Sequence, residues 1–288
     1  MTDIDGLIRG SIDMHIHAAP DIMPMRLNAL EAARQAIDRG MRAIVIKNHS
    51  YPTAPLAAMV GELIPDIRVF GGICLDDEVG GLNSHALEIS AKLGAKVVWM
   101  PTLSAVNSRG KIAKSLGLPL EGEGYSILDE GGKLVPEISR ILAIVKKYDM
   151  VLATGHISPM ETLALFKEAK TYGIDKMIAT HVSSADVVDK TLSLEEQKKL
   201  AGMGVFLEHA GNDIMPCDFG HDPADIAAQI KAVGAGNCIL SSDMGMVHGL
   251  YPVEGMRIFV SSLLRQGIRP EEIELMIKMN PAKLLGLS

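Results

Sequence analysis

The sequence predicts an α/β fold, a TIM-type (β/α)8 barrel, and three observations support this prediction. From residue 11 onward, short β-branched apolar runs alternate with helical patterns, which is typical of βαβ units and a parallel sheet. Eight such runs can be counted. The chain has 288 residues, and one barrel of this kind needs roughly 250. We therefore predict a single barrel domain over residues 1–288.

Each predicted strand is one of the apolar runs, and most of them are separated by a predicted helix. The strands are Ser11 to His17, Ala43 to His49, Arg68 to Asp76, Ala95 to Thr102, Met150 to Ile157, Lys176 to Val182, Gly204 to Gly211 and Cys238 to Gly245. Helical periodicity, often closed by glycine, is clearest over Leu27 to Arg39, Pro55 to Leu63, Ser84 to Leu93 and Met160 to Tyr172.

One interval, Leu103 to Lys133, departs from the alternation. It is rich in Gly and Ser and follows the fourth predicted strand. The pattern predicts a long loop with room for a hairpin. Because loops of this length usually cover a functional site or are disordered, we interpret this one as a lid.

Composition and charge exclude several classes of partner. No basic leader precedes an apolar stretch, and no apolar run approaches the roughly 20 residues of a membrane span, so we expect a soluble, cytoplasmic protein. A net charge of -7 without a Lys/Arg cluster argues against nucleic acid or an anionic membrane and favours a small-molecule substrate. Cys74, Cys217 and Cys238 show no metal or disulfide spacing and are expected to be buried, reduced thiols. A homo-oligomer is expected only because such assemblies are common.

Several predicted strands end in a side chain that can bind a metal. Period two along the first strand directs His15 and His17 to the same side, into the barrel mouth. The fifth, sixth and eighth strands end at His156, His181 and Asp243. A single histidine is more often a structural hydrogen-bonding residue, so the prediction depends on the whole set. Neutral imidazoles with one carboxylate suit Zn²⁺, Mn²⁺ or Fe²⁺ with a position open for water.

This ligand set also predicts a chemistry. A divalent ion lowers the pKa of a bound water toward neutrality and polarises the bond under attack. Asp243 is placed to take the proton of that water and return it to the leaving group. The structural alternative for Asp243 is a turn residue or a helix N-cap.

The arrangement of these residues resembles the amidohydrolase superfamily, and the match covers the whole chain in order. The stretch Met279 to Leu287 is also similar to the closing helix of that superfamily, which implies an extra C-terminal helix. The resemblance implies a distorted barrel, one or two divalent metal ions, and hydrolysis of amide, lactone or related ester bonds, with Asp243 as proton shuttle. More distantly, the sequence is similar to an uncharacterised amidohydrolase-like group.

Strands two and four differ from the pattern of two-metal amidohydrolases. The bridging carboxylated lysine or glutamate at the end of strand four is missing from Val97 to Thr102. Strand two instead ends with Lys47 and His49, which resembles the Thr-Asp-His of polymerase-and-histidinol-phosphatase (PHP) phosphoesterases. A second ion held by His49 is one interpretation, and a structural hydrogen bond is the other. Lys47 is interpreted as carboxylated, as binding a substrate anion, or as a solvated strand end.

Three further residues are candidates for substrate binding. One of Glu208 and His209, which end strand seven, is expected to face the mouth. Arg26 follows strand one, and its guanidinium suits a substrate carboxylate, with a surface salt bridge as the alternative.

The leading functional hypothesis is hydrolysis of an amide, lactone or related ester bond in a small, cyclic and anionic molecule by a metal-activated water. Its alternatives are a PHP-type phosphoesterase, a metal-dependent decarboxylase or lyase, and a non-catalytic metal-dependent binding protein. The missing acidic residue on strand four counts against the phosphoesterase. The sequence does not identify the substrate, because loops set the specificity of a barrel.

Overall fold

Eight parallel strands in the order β1 to β8 form the sheet, which confirms the predicted (β/α)8 fold. The computed structural model describes residues 3–116, 122, 124–185, 187–215 and 221–287. The strands are β1 (Ile12–His17), β2 (Ala43–Lys47), β3 (Arg68–Cys74), β4 (Val97–Trp99), β5 (Val151–Ala153), β6 (Met177–Ala179), β7 (Phe206–Ala210) and β8 (Cys238–Ser241).

Twelve helices lie within the described residues, and most of them follow a strand and pack around the barrel. They are α1 (Ile4–Ile8), α2 (Ala29–Asp38), α3 (Ala54–Leu63), α4 (Ser84–Lys92), α5 (Arg109–Leu116), α6 (Glu137–Lys147), α7 (Pro159–Thr171), α8 (Leu194–Gly202), α9 (Pro223–Val233), α10 (Pro252–Arg265), α11 (Pro270–Glu274) and α12 (Asn280–Leu285). Capping boxes start α2, α7 and α8, where Asn28, Ser158 and Ser193 each accept a bond from the backbone N–H of a glutamate three residues later. The four helices predicted from periodicity are confirmed, with ends within two residues of the prediction.

The barrel closes between β1 and β8. The backbone N–H of Asp243 donates to His15 O at 2.9 Å, and that of His17 donates to Met244 O at 2.8 Å. The pairing of β1 with β2 shifts register between Asp13 and Ile16, a β-bulge. Met14 therefore packs in the barrel interior while Ile16 packs on the outside. His15 and His17 share the inner side, as period two predicts for that pair.

Two apolar cores hold the barrel together. One lies between the sheet and the surrounding helices. The other fills the barrel interior, where Ile12, Val97 and Phe206 pack together. The predicted extra C-terminal helix is α12, and its Leu284 and Leu285 belong to this interior core. In such barrels the active site lies at the carboxyl ends of the strands. Leu284 and Leu285, the C-terminal plug, therefore stabilise the fold without occupying the mouth of the barrel.

The segment after β4 differs in part from the predicted loop. It contains helix α5, which was not predicted because its sequence has no apolar periodicity. It also contains two isolated β-bridges, which pair Ala105 with Tyr125 and Leu128 with Leu134. Ile112 of α5 is buried, and the Lys111 ammonium donates to Ala185 O and Val188 O at 2.7 and 2.8 Å. The lid interpretation extends over residues 117–121 and 123, which lie outside the described part of the chain.

Two further expectations concern the thiols and the membrane. Cys74 and Cys238 are buried and free, as expected, whereas Cys217 lies outside the described residues. No helix within the described ranges combines the length and the apolar character that crossing a membrane requires.

Candidate metal centre

Five histidines form a closed ring at the carboxyl ends of the strands. Neighbouring imidazole centroids lie 5.0 to 6.1 Å apart in the order His15, His17, His49, His156, His181 and back to His15. All five side chains are buried. Strands β1, β2, β5 and β6, or the residues directly after them, supply the ring, which is the convergence that the sequence predicted.

Asp243 joins this ring just beyond the end of β8. Its Oδ1 lies 2.9 Å from His15 Nε2 and 3.1 Å from His17 Nε2, and its Oδ2 lies 3.8 Å from His181 Nε2. Ligand atoms of His15, His181 and Asp243 all lie within 4.8 Å of one another. One ion at this point would therefore be within reach of several nitrogen and oxygen ligands.

Four of the five histidines are held through Nδ1 by a polar neighbour. The pairs are His15 with Glu208 Oε1 at 3.3 Å, His49 with Thr102 Oγ1 at 2.6 Å, His156 with Ser108 Oγ at 2.9 Å, and His181 with Ser184 Oγ at 3.1 Å. Such contacts fix the orientation of an imidazole before any ligand arrives.

The direction of these hydrogen bonds determines the tautomer. The Ser184 hydroxyl donates to Asp213 Oδ1 at 2.7 Å, so its oxygen is left to accept from the Nδ1–H of His181. The hydroxyl of Ser108 donates to Val187 O at 2.9 Å, and that of Thr102 donates to Asp76. Each imidazole in these three pairs therefore carries its proton on Nδ1 and presents the lone pair of Nε2, the form in which histidine binds a metal.

Burial keeps most of the ring neutral. It lowers the pKa of His17 to about 3 and that of His181 to about 4, the latter against the attraction of Asp243. Burial also lowers the pKa of His156 well below its usual value. The pKa of His15 is raised to about 9, because Asp243 and Glu208 outweigh the effect of burial. His15 and His181 likewise outweigh burial at Asp243 and lower its pKa, which keeps the carboxylate charged.

The backbone at two of these residues is strained. His181 and Asp243 have φ angles of 54° and 51°, in the left-handed region that residues with a Cβ rarely adopt. Each such residue costs on the order of 1 kcal/mol or more and persists only where the surrounding structure imposes it. The strain lies at the two strand ends that turn a side chain toward the ring.

The donor set fits a divalent metal ion. The set offers imidazole nitrogens and one carboxylate, the ligands of Zn²⁺ and related ions. Within the described residues, the Nε2 of His156 is buried without a hydrogen-bond partner, which is costly unless a ligand binds it. A second set of potential ligands, His49, Cys74 and Asp76, lies beside the first.

A cavity of about 1370 Å³ opens above the ring. Its polar floor comes from the mouth of the barrel, from His17, Lys47, His49, His156, His181 and Asp243. Met23, Leu103, Ile112, Ile214 and Met246 are among the apolar residues of its walls. The volume is ample for a small molecule.

The predicted substrate-binding residues lie in different places. Lys47 is buried and lines the cavity. Glu208 faces inward but contacts His15, whereas His209 is completely buried and its ring nitrogens have no partner among the described residues. Arg26 is exposed, donates to Val247 O at 2.6 Å and lies over the Tyr251 ring. Among these four residues, the cavity lining includes only Lys47.

Apart from Glu208, sequence reasoning missed the residues that hold the histidines. Asp76 follows Cys74 by two residues, so the period-two rule applied to β3 would have found it. Ser108, Ser184 and Asp213 lie in loops and a short 3₁₀ segment, where no periodicity marks them. Only the folded structure brings these side chains to the ring.

Comparisons with known proteins identify the fold. A model of the family described as a family of unknown function (DUF6282) matches residues 10–208. The comparison with curated proteins gives no match.

An amidohydrolase from Pseudomonas aeruginosa is similar at 14% identity and a TM-score of 0.65, over 99% of this chain and 98% of that chain. The probable dipeptidase PvdM from the same organism has 12% identity and a TM-score of 0.68, over 98% and 96%. An organophosphorus hydrolase from Deinococcus radiodurans has 12% identity and a TM-score of 0.62, over 99% and 94%. At these identities the likeness concerns the fold alone, the (β/α)8 barrel.

Proposed function

The chain belongs to the DUF6282 family, and we propose that it is a metal-dependent hydrolase that cleaves an amide, lactone or related ester bond of a small molecule. The observation that carries the proposal is the set of histidines whose Nδ1 atoms are occupied by polar partners. Nε2 of His15 lies 2.9 Å from the charged carboxylate of Asp243, and His49, His156 and His181 line the cavity. Several structural neighbours are named as hydrolases, which agrees with this choice.

The ligands of the first ion are proposed to be His15, His17, His181 and Asp243, with His156 and His49 available to a second. A bound divalent ion would polarise the bond under attack and lower the pKa of a nearby water. Zn²⁺ is favoured because imidazole with carboxylate is its usual donor set in catalytic sites, and Mn²⁺ and Fe²⁺ are the alternatives.

Asp243 is proposed to move the proton. Its carboxylate remains charged although it is buried, so it can accept a proton from the attacking water. Delivery of that proton to the leaving nitrogen or oxygen then completes the cleavage. Glu208 accepts from Nδ1 of His15 and thereby orients Nε2 of that residue.

The first experiment measures the metal content of the purified protein after loading and removal of excess ion. We expect about one or two equivalents per chain, and replacement of both His15 and His17 with Ala should abolish binding. The matched control is His85→Ala, because His85 is an exposed histidine of α4. A protein that retains no metal after loading, or a double variant that binds normally, would contradict the proposal.

The second experiment offers the loaded protein lactones, cyclic amides, aryl esters and aryl phosphates. Turnover of a lactone, amide or ester that is lost in Asp243→Asn, at metal concentrations that saturate the variant, is the expected result. Release of phosphate alone would instead assign a phosphoesterase. Release of carbon dioxide from a carboxylic acid would assign a decarboxylase.

A further inference from the structure

Lys47 is a buried cation without an anionic partner. It is the last residue of β2 and follows Ala43 and Val45, which pack in the barrel interior. Its side chain is 1% exposed and lines the floor of the cavity. Among the described residues it forms no hydrogen bond or salt bridge. Lys111 at the cavity wall differs, since two backbone carbonyls accept from its ammonium.

The surroundings of Lys47 do not compensate this charge. The nearest ring contact places the ammonium 5.8 Å from the centroid of Trp99, which offers a weak cation–π attraction. His17, His49 and His156 line the same floor and add no negative charge. The carboxylate on this floor, Asp243, contacts His15 and His17 instead. Burying an ammonium is expensive unless it is paired and hydrogen-bonded. A cation kept in this position, facing a cavity, points to an anion that arrives with the ligand.

We propose that Lys47 binds a carboxylate of the substrate, so that the enzyme acts on a small carboxylic acid with an apolar body. This inference rests on the proposed function, because it assigns a substrate class to the same site. A carboxylate is favoured over a phosphate because Lys47 offers one ammonium, whereas phosphates are usually held by several donors such as an Arg fork or a helix N-terminus. The apolar body follows from the walls, where Met23, Leu103 and Ile112 face the cavity.

The test measures ligand binding, so it does not depend on turnover. Butyrate is the probe, and butyramide, which has the same shape without the charge, is its neutral counterpart. Trp99 is the only tryptophan of the chain and lies beside Lys47, so its fluorescence reports binding at this position. Metal-loaded wild-type protein and the Lys47→Met variant are titrated with each probe. Inorganic phosphate forms a separate arm.

Butyrate should bind Lys47→Met at least about tenfold more weakly than wild type, because one charge-assisted hydrogen bond is lost. The affinity for butyramide should not change. Lys114→Met is the matched control: it removes the same charge from an exposed lysine of the same cavity, and it should alter butyrate affinity less than about twofold. Lys47→Arg should retain part of the affinity, since it keeps the charge.

Removal of an unpaired buried charge should also raise the thermal midpoint of the ligand-free protein. This second measurement shows that Lys47→Met folds, and butyrate should then stabilise wild type more than the variant. Equal butyrate affinity in the two proteins would overturn the proposal. A thermal midpoint of wild type that rises with phosphate but not with butyrate would also overturn it. A carbamate signal from labelled bicarbonate that disappears in Lys47→Met would also overturn it, because it would assign a carboxylated lysine. A wild-type protein without metal or turnover would instead count against the proposed function.

Discussion

Single side chains prepare the histidine ring before a metal arrives. Ser184 connects His181 to the buried carboxylate of Asp213, and Thr102 connects His49 to Asp76. The same order of groups, carboxylate, hydroxyl and imidazole, thus occurs on two sides of the ring. An imidazole that already has its orientation and tautomer loses little conformational entropy when it binds an ion.

Replacing Ser184 with Ala tests this preparation. The substitution leaves Nδ1 of His181 without its acceptor, and metal affinity should fall roughly 10- to 100-fold, the usual cost of losing such a partner. Competition with a chelating indicator measures the dissociation constant. The neighbouring Ser183 is the matched control, because it donates to Gln229 and does not contact the ring. Equal affinities of the Ser184→Ala and Ser183→Ala variants would show that the hydroxyl of Ser184 does not position His181.

His209 predicts a pH dependence of stability that is separate from the metal centre. Burial lowers the pKa of His209 to about 4 in the folded protein, from 6.5 in the unfolded chain. The unfolded state therefore binds a proton between these values while the folded state does not, so this residue makes stability fall as the pH falls through that window. Above pH 6.5 both states are neutral and the effect disappears.

His209→Leu should remove this contribution. Between pH 7.5 and pH 5, wild type should lose about 2 kcal/mol more of its unfolding free energy than the variant does. Urea unfolding at the two pH values measures the difference. Neither ring nitrogen has a partner among the described residues, so the variant should be at least as stable as wild type at pH 7.5. An identical pH dependence in the two proteins would mean that His209 is hydrated or paired in the native state.

At the scale of elements, local patterns predicted where the strands begin better than where they end. The predicted strand five runs from Met150 to Ile157, but the ladder stops at Ala153. The remaining residues turn away to place His156 in the ring. Periodicity alone cannot detect this turn, because a buried strand and the buried loop after it have similar composition. The four predicted helices lie within two residues of the observed ones at both ends, because the signals that start and stop a helix are local.

Gly155 makes the turn after β5 possible. Its φ is 57°, and a Cβ at this position would collide with the carbonyl oxygens of Met100 and Pro101. Gly155→Ala should therefore cost at least about 2 kcal/mol of unfolding free energy and displace His156, with weaker metal binding as a result. The Ala substitution of Gly202 is the control, since Gly202 ends α8 and a Cβ there would meet no other atom within 4 Å. That control should be neutral or slightly stabilising. A Gly155→Ala variant as stable as the control would contradict the steric argument.

At the scale of the whole molecule, the alternating elements predicted the barrel, and the barrel then predicted the ring. Because parallel strands end on one face of the barrel, the sequence predicted that His15, His181 and Asp243 lie close together. The partners that hold the ring could not be predicted in this way. Asp213 meets Ser184 across 29 residues of sequence, and Ser108 meets His156 across 48. Such contacts depend on the packing of loops, for which the chain carries no repeating pattern.

The barrel also separates stability from function between its two ends. Leu284 of α12 is 1% exposed and belongs to the interior core, away from the residues of the mouth. Leu284→Ala should lower the unfolding free energy by about 2 to 5 kcal/mol, because it leaves a cavity in a packed core. Leu275→Ala removes the same atoms from a side chain that is 38% exposed, so it should cost much less. Chemical denaturation measures both effects.

At temperatures where both variants remain folded, metal affinity should equal that of wild type, because α12 supplies none of the ring or its hydrogen-bond partners. Loss of metal affinity in folded Leu284→Ala would show that the C-terminal plug and the metal centre are coupled through the barrel interior.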